Sequence, residues 1–217
     1  MTTQGHRYFL TIVDEYSRFT HTCPLRTKGE ASKALLHFVK CFEKQTGHTV
    51  RALQTDGGGE FVKAHNTLKS QGLKTTYTTS YTPPSNGMAE RTHGTIFALA
   101  RSCLLQAKLP LKYWGYEARH VTTCKNVVPH SMTVSISHED AYEIRSPDFA
   151  HLRPFGCRVL YYPAKPTLKT FKPRLEEGIN LGHDEGGIYW VLTDTGAIRT
   201  KHVRMLENLF PGIAPIL

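Results

Sequence analysis

The sequence predicts an α/β domain followed by a small β module. Three observations predict it. Short β-rich runs alternate with helical patterns from Tyr8 to Lys125, the pattern of a mixed sheet carrying helices on its faces. Beyond His151 the chain turns to prolines and short strand candidates parted by glycine turns, as small all-β modules do. The length of 217 residues, with 40% hydrophobic and 21% charged, allows one large domain and an appendage with a real core.

The elements follow in order. Tyr8 to Val13 is an apolar, β-prone run that ends at Asp14. Phe19 to Pro24 is a second, paired strand. Lys28-Gly29-Glu30 opens a helix whose Ala34, Leu35, Phe38, Val39 and Phe42 recur at three and four, and Gly47 closes it. Val50 to Thr55 is a strand ending at Asp56. Gly57, Gly58 and Gly59 break the chain, and Phe61 to Ser70 reads as a short helix. Lys74 to Thr79 is β-prone. Tyr81 to Gly87 is a loop by its Pro, Asn and Gly content. Met88 to Ala107 is a long helix with Ile96, Leu99, Ala100, Cys103 and Leu104 on one face. Pro110 interrupts it, and Lys112 to Lys125 is a further helix. In the last third, Arg158 to Tyr162, Gly187 to Leu192 and Ala197 to Val203 are the strand candidates. The expected division is a core over 1–145, a linker over 146–160 and a small, SH3-like β module over 161–217.

Composition narrows the function. Lys and Arg total 27 against 18 acids, for a net charge of +9 and a pI near 9.4. That balance suits a polyanion partner. No apolar run approaches the roughly 20 residues that span a bilayer, and the first residues lack the order of a signal peptide. Neither a membrane role nor secretion is therefore expected. Five cysteines, an odd count without a CxxC pair, read as free thiols of a reducing compartment. The twelve histidines form no zinc spacing.

Asp14 and Asp56 each end a strand, and Glu90 lies in the first turn of a long helix. Should those elements pack together, three carboxylates converge. Hard divalent cations take such oxygen ligands, and two of them stabilise the attacking and leaving oxygens of a phosphoryl transfer. Taken singly, an acid after a strand also reads as a turn residue, and one in a first helical turn also answers the helix dipole. Glu15 and Glu60 compete for the same role.

The words around these acids are more specific. Phe9 to Arg18, FLTIVDEYSR, then Gln54 to Phe61, QTDGGGEF, then Tyr81 to Arg91, YTPPSNGMAER, together resemble the integrase catalytic core of copia-type retrotransposons. The resemblance runs on through Ala100-Arg101-Ser102, Tyr113-Trp114, Ser146 to Cys157, Gly178 to Gly182 and Lys201 to Arg204. It implies an RNase H-like fold, a mixed five-stranded sheet flanked by helices. It implies two Mg²⁺ or Mn²⁺ ions held by the catalytic acids Asp14, Asp56 and Glu90. The activity implied is 3′-end processing and strand transfer of element DNA into target DNA. Partners would be double-stranded DNA, the element ends and the target, and further copies of the chain in a homo-oligomer, and the place implied is the nucleus or cytoplasm. Ser85, Asn86 and Gly87 fall in the loop beside the site, and Arg91, His93 and Arg101 on the helix that follows, as DNA-binding residues. Lys112 and Arg119 extend that track, and Lys165, Lys169, Lys172 and Arg174 offer a second basic stretch. Tyr161, Tyr162 and Trp190 are base-stacking candidates or core of the β module.

The sequence also departs from that family. Thirty-three residues separate Asp56 from Glu90, where thirty-five are common. The shortage falls between Glu60 and Gly72, and two residues turn a helix by about 200°. Gly57 stands where a polar residue is more usual, Thr92, His93 and Gly94 stand in a commonly basic run, and Lys125-Asn126 replaces Asn-Arg. No His/His/Cys/Cys module precedes the core in this sequence, so a polyprotein piece or a decayed copy is expected. Two alternatives stay open: a catalytically dead DNA-binding relic, and an RNase H-like nuclease that cleaves without joining.

Overall fold

The structure is a computed structural model, and it describes residues 1–78, 87–128, 149–163 and 175–212. These divide into two compact units. The first holds Met1, Thr3–Ile96 and residues 125–128. The second holds Thr2, Phe97–Cys124 and the described residues from 149 on.

In the first unit, β1 (Tyr8–Val13) pairs antiparallel with β2 (Thr20–Leu25), Val13 opposite Thr20 and Tyr8 opposite Leu25. A 3-10 turn over Lys28–Glu30 leads into α1 (Ala31–Thr46), which ends at Gly47 with φ 73°. That left-handed cap suits glycine because no Cβ opposes it. The face of α1 that carries Ala31, Ser32, Leu35 and Val39 is buried, as its three-and-four spacing predicts. β3 (Ala52–Thr55) precedes a 3-10 turn at Gly59–Phe61 and α2 (Val62–Ser70). Gly72, at φ 88°, and a bond from Leu73 N to Leu68 O turn the chain back. β4 (Lys74–Tyr77) then pairs parallel with β3, Thr55 opposite Tyr77. The short stretch between Glu60 and Gly72 thus still forms its helix and returns β4 into register.

The single five-stranded mixed sheet implied for the core is not what the described residues show. Their four strands in this unit form one antiparallel and one parallel pair. Two features of these strands bear on sheet extension. β3 and β4 have only four residues each. Asp14 N bonds Phe19 O, so by alternation Pro24 stands at a non-hydrogen-bonded position opposite Phe9. Its missing N–H therefore falls on the far edge of β2, where a further strand would need a donor.

α3 (Gly87–Gln106) gives residues 87–96 to the first unit and 97–106 to the second. After a 3-10 turn at Leu111–Tyr113 comes α4 (Trp114–Val127). The second unit also holds an antiparallel five-stranded sheet in the order β8-β7-β6-β5-β9, made of β5 (Arg158–Tyr161), β6 (Glu176–Asp184), β7 (Ile188–Thr193), β8 (Gly196–Thr200) and β9 (Val203–Leu206). Leu104, Ala107, Leu109, Tyr113, Tyr116, Phe155, Ile179 and Leu181 form its main core. Val159, Tyr161, Tyr189 and Val191 form a second cluster.

β6 carries no clean alternation, because Glu176-Glu177 opens it and a bulge between Asn180 and His183 shifts its register. Gly178 is required there: a Cβ would stand 2.4 Å from Val191 Cγ1 and 2.8 Å from Leu192 O. The run expected as one strand over 197–203 is broken at Lys201-His202 into β8 and β9, on opposite edges of the sheet. Among the described residues no helix is long and apolar enough to cross a membrane.

Candidate metal and nucleic-acid site

Asp14 leaves the end of β1 into a tight turn. Its Oδ2 accepts from the Ser17 N–H and from the Ser17 hydroxyl, both at 2.7 Å. Ser17 is fully buried, and its Oγ also accepts from Phe19 N at 3.1 Å. A carboxylate so held has one rotamer. Arg18 closes the turn with φ 63°, a left-handed conformation that disfavours a branched side chain. From residues 125–128 of the same unit, Lys125 Nζ reaches Arg18 O at 3.3 Å and Thr20 Oγ1 at 3.2 Å. Burial, and then the Arg18 charge, hold the Lys125 ammonium below its usual range. Asn126 takes both backbone groups of Thr20, accepting from its N at 3.0 Å and donating to its O at 2.8 Å. The Lys-Asn pair, which replaces Asn-Arg, thus anchors the start of β2 behind the Asp14 turn.

Asp56 stands exposed after β3, and its Oδ1 accepts from Gly58 N at 3.2 Å. The Glu60 carboxylate turns to the same place. A Cβ on Gly58 would lie 3.0 Å from Asp56 Oδ1 and 2.7 Å from Glu60 Oε2. Glycine at position 58 therefore lets the two acids approach one point. Glu60, named only as a competitor from the sequence, is beside Asp56. Glu15 is exposed in the Asp14 turn.

Glu90 is exposed in the first turn of α3. The helix is tied to β1 one turn later. His93 is half-buried, its Nδ1 is 3.0 Å from the Thr11 hydroxyl, and its ring lies 6.3 Å from that of Phe9. Burial lowers its pKa. His93 therefore joins the helix that carries Glu90 to the strand that carries Asp14. Arg91 is exposed and its Nε donates to Gly87 O at 2.9 Å, across the first turn. Gly87 begins the helix. Ser85 and Asn86 lie outside the described residues, as do Lys165, Lys169, Lys172 and Arg174.

In the second unit, Arg101 is exposed on α3 and Lys112 is exposed over the Tyr113 ring. Arg119 is spent on an ion pair with Asp184 at 2.5 Å, which also accepts from Trp190 Nε1 and pairs with Arg199. Tyr161 is buried and Trp190 packs on the core, while Tyr162 is exposed.

The donor types fit a hard divalent cation: Asp14, Asp56 and Glu90 offer only carboxylate oxygen. Two of the three carboxylates are preset by local hydrogen bonds. Among the described residues no three His, Cys, Asp or Glu side chains are drawn together tightly enough to hold a metal ion. The acids are offered from separate elements and not closed round one point. Sequence reasoning missed Ser17, His65 and Glu117 in this molecule. Ser17 had a signal, a serine three residues after an aspartate in a turn. His65, in a short polar helix, had none.

Residues 1–83 match the family model of the integrase core domain. The chain is 32% identical over 211 residues to the retrovirus-related Pol polyprotein from transposon TNT 1-94 of Nicotiana tabacum, covering 95% of this chain and 16% of that one. It is 25% identical over 210 residues to the Pol polyprotein from transposon RE1 of Arabidopsis thaliana, covering 95% and 14%. The chain thus spans about one sixth of the length of these curated relatives. A chain of the simian T-cell lymphotropic virus intasome, solved in complex with PP2A regulatory subunit B56 gamma, superposes with a TM-score of 0.50 at 18% identity, covering 95% of this chain and 73% of that one. This last likeness concerns the fold, which is mixed α/β and RNase H-like.

Proposed function

We propose, for a chain that carries an integrase core domain and is related to retrotransposon Pol polyproteins, that it acts in DNA integration by metal-dependent polynucleotidyl transfer. The observation that carries this is the placement of Asp14, Asp56 and Glu90 at two strand ends and a first helical turn, with Asp14 and Asp56 oriented by Ser17 and Gly58. The two assigned ions, Mg²⁺ or Mn²⁺, would neutralise phosphate charge and polarise the attacking oxygen. Asp14, Asp56 and Glu90 would hold them, with Glu60 beside Asp56 as a further oxygen donor. The residues of the chain otherwise position. Arg91 and the N-terminus of α3 offer positive potential to a phosphate next to Glu90.

In end processing, water oxygen bonds to phosphorus and the P–O3′ bond breaks, the freed 3′ oxygen taking a proton. In strand transfer, that 3′ oxygen bonds to a target phosphorus and the target P–O3′ bond breaks. One phosphodiester replaces another, so no external energy source is needed. Catalysis then rests on orientation and electrostatics. Double-stranded DNA is the proposed partner, a homo-oligomer the working form, and the nucleus or cytoplasm its place. The functional division assigned is a core over 1–145, a linker over 146–160 and a β module over 161–217.

One observation favours a second reading. The three acids are not drawn into a metal-holding group among the described residues, which fits a relic that keeps DNA binding alone. A joining assay separates the readings. A duplex with a recessed 3′ end is incubated with plasmid and Mn²⁺. Joined products, lost in Asp14→Asn, Asp56→Asn and Glu90→Gln, are expected. Nicked but never joined plasmid marks the nuclease. DNA binding without products, unchanged in Asp56→Asn, marks the relic and overturns the proposal.

A further inference from the structure

His65 takes no part in the site as read so far, yet it stands directly behind Asp56. It lies on α2 and is 2% exposed. Its Nε2 is 2.8 Å from the Thr55 hydroxyl. That hydroxyl donates to the Asp56 carbonyl at 2.9 Å. Its one proton is thus committed, so it accepts from the histidine, and His65 must be the Nε2–H tautomer. The other nitrogen, Nδ1, is buried with no hydrogen-bond partner among the described residues. Burial lowers the pKa of the ring. The ring is clamped as well. It stacks on Tyr77 of β4 with centroids 3.9 Å apart and planes 11° from parallel, and Tyr77 is the register partner of Thr55. The Thr55 carbonyl is held in turn by Thr78 N at 2.9 Å. The β3–Asp56 junction is therefore held from α2 through His65 and from the β4 side through Tyr77 and Thr78.

We propose that His65 is a positioning residue for Asp56: its Nε2–H holds the Thr55 hydroxyl, which holds the Asp56 carbonyl, so the Asp56 carboxylate leaves β3 from a fixed backbone. The proposal rests on reading Asp56 as a metal-holding acid. Groups one step behind metal ligands orient them, and their loss weakens metal binding by about tenfold to a hundredfold. The His65–Thr55 bond also ties the shortened Glu60 to Gly72 stretch to the end of β3.

The test uses the whole chain in five forms: wild type, His65→Phe, His65→Gln, Thr55→Val and Thr55→Ser. Phenylalanine keeps the stacking on Tyr77 and loses the donor, while glutamine carries an N–H where Nε2 stood. Valine loses the relay hydroxyl and serine keeps it. Two readouts are taken on forms shown to be folded by thermal unfolding: the Asp56 carbonyl ¹³C resonance, and Mn²⁺ affinity by calorimetry. The carbonyl resonance is expected to move in His65→Phe and Thr55→Val and to return in His65→Gln and Thr55→Ser. Mn²⁺ affinity is expected to fall about tenfold in the same two variants. A carbonyl unmoved in His65→Phe, or a glutamine variant no better than phenylalanine, overturns the proposal. Should wild type bind no Mn²⁺ while the carbonyl pattern holds, the metal reading of Asp56 fails and the positioning of its backbone stands.

Discussion

Ser17 shows how one residue sets the chemistry of its neighbour. Its amide and hydroxyl both reach Asp14 Oδ2 at 2.7 Å, and it has no exposed surface. Ser17→Ala removes the hydroxyl bond to Asp14 and the acceptor that the hydroxyl offers to the Phe19 N–H. The expected cost is about 1–3 kcal/mol of stability, read by denaturant unfolding, together with several-fold weaker Mn²⁺ binding. Wild-type affinity in the alanine variant would mean that the turn, and not the serine, orients the acid. The acids themselves were legible in the sequence because their flanking motifs are specific. Their supports were less so. Glu60 and His93 are visible as acid and base near the right words, but only the fold shows that Glu60 faces Asp56 and that His93 binds Thr11.

α4 carries a titration of its own at the scale of an element. Glu117 is fully buried, its oxygens lack a well-formed hydrogen bond, and burial pushes its carboxyl up to about 8 while the adjacent Cys103 thiol pulls the other way. The thiols of Cys103 and Cys124 are pushed up to about 11 by burial and by Glu117, so they stay protonated. One turn on, His120 is lowered to about 4 by burial and by His183. The signs oppose each other. The folded Glu117 keeps a proton that the unfolded chain releases above its ordinary value of 4.5, so stability falls as pH rises from there to about 8. The folded His120 refuses a proton that the unfolded chain binds below 6.5, so stability rises as pH rises from about 4 to 6.5. The two offset each other up to pH 6.5, and above it Glu117 acts alone. The thermal midpoint is expected to drop between pH 6.5 and 8, with a slope of at most about 1.4 kcal/mol per pH unit. Glu117→Gln should flatten the drop. A drop that persists in that variant assigns it to another group. The sequence shows a further helix after Pro110, over Lys112 to Lys125. It did not reveal a buried acid, because one glutamate inside a helix reads as surface. β6 was hidden for a different reason: its glycines and bulge erase the alternation that marks a strand.

At the scale of the molecule, the fold class was legible and the sheet was not. Alternating strand and helix patterns gave the α/β class, and the proline-rich last third gave the β module. The number of strands that share one ladder depends on edge donors such as the N–H that Pro24 lacks, which no periodicity reports. The net charge of +9 is likewise a property of the whole chain. It favours encounter with a polyanion at low salt, an attraction that weakens with ionic strength, but it says nothing of joining. The central claim is narrower: Asp14, Asp56 and Glu90 act together as one metal-holding set, although they are not drawn together among the described residues. Mn²⁺ titration calorimetry with a duplex oligonucleotide present tests it most directly, on wild type, Asp14→Asn, Asp56→Asn and Glu90→Gln. Binding by wild type, lost in each of the three variants, is the predicted result. A folded wild type that binds no Mn²⁺ beside DNA, or an Asp56→Asn variant that binds it equally well, would contradict the claim.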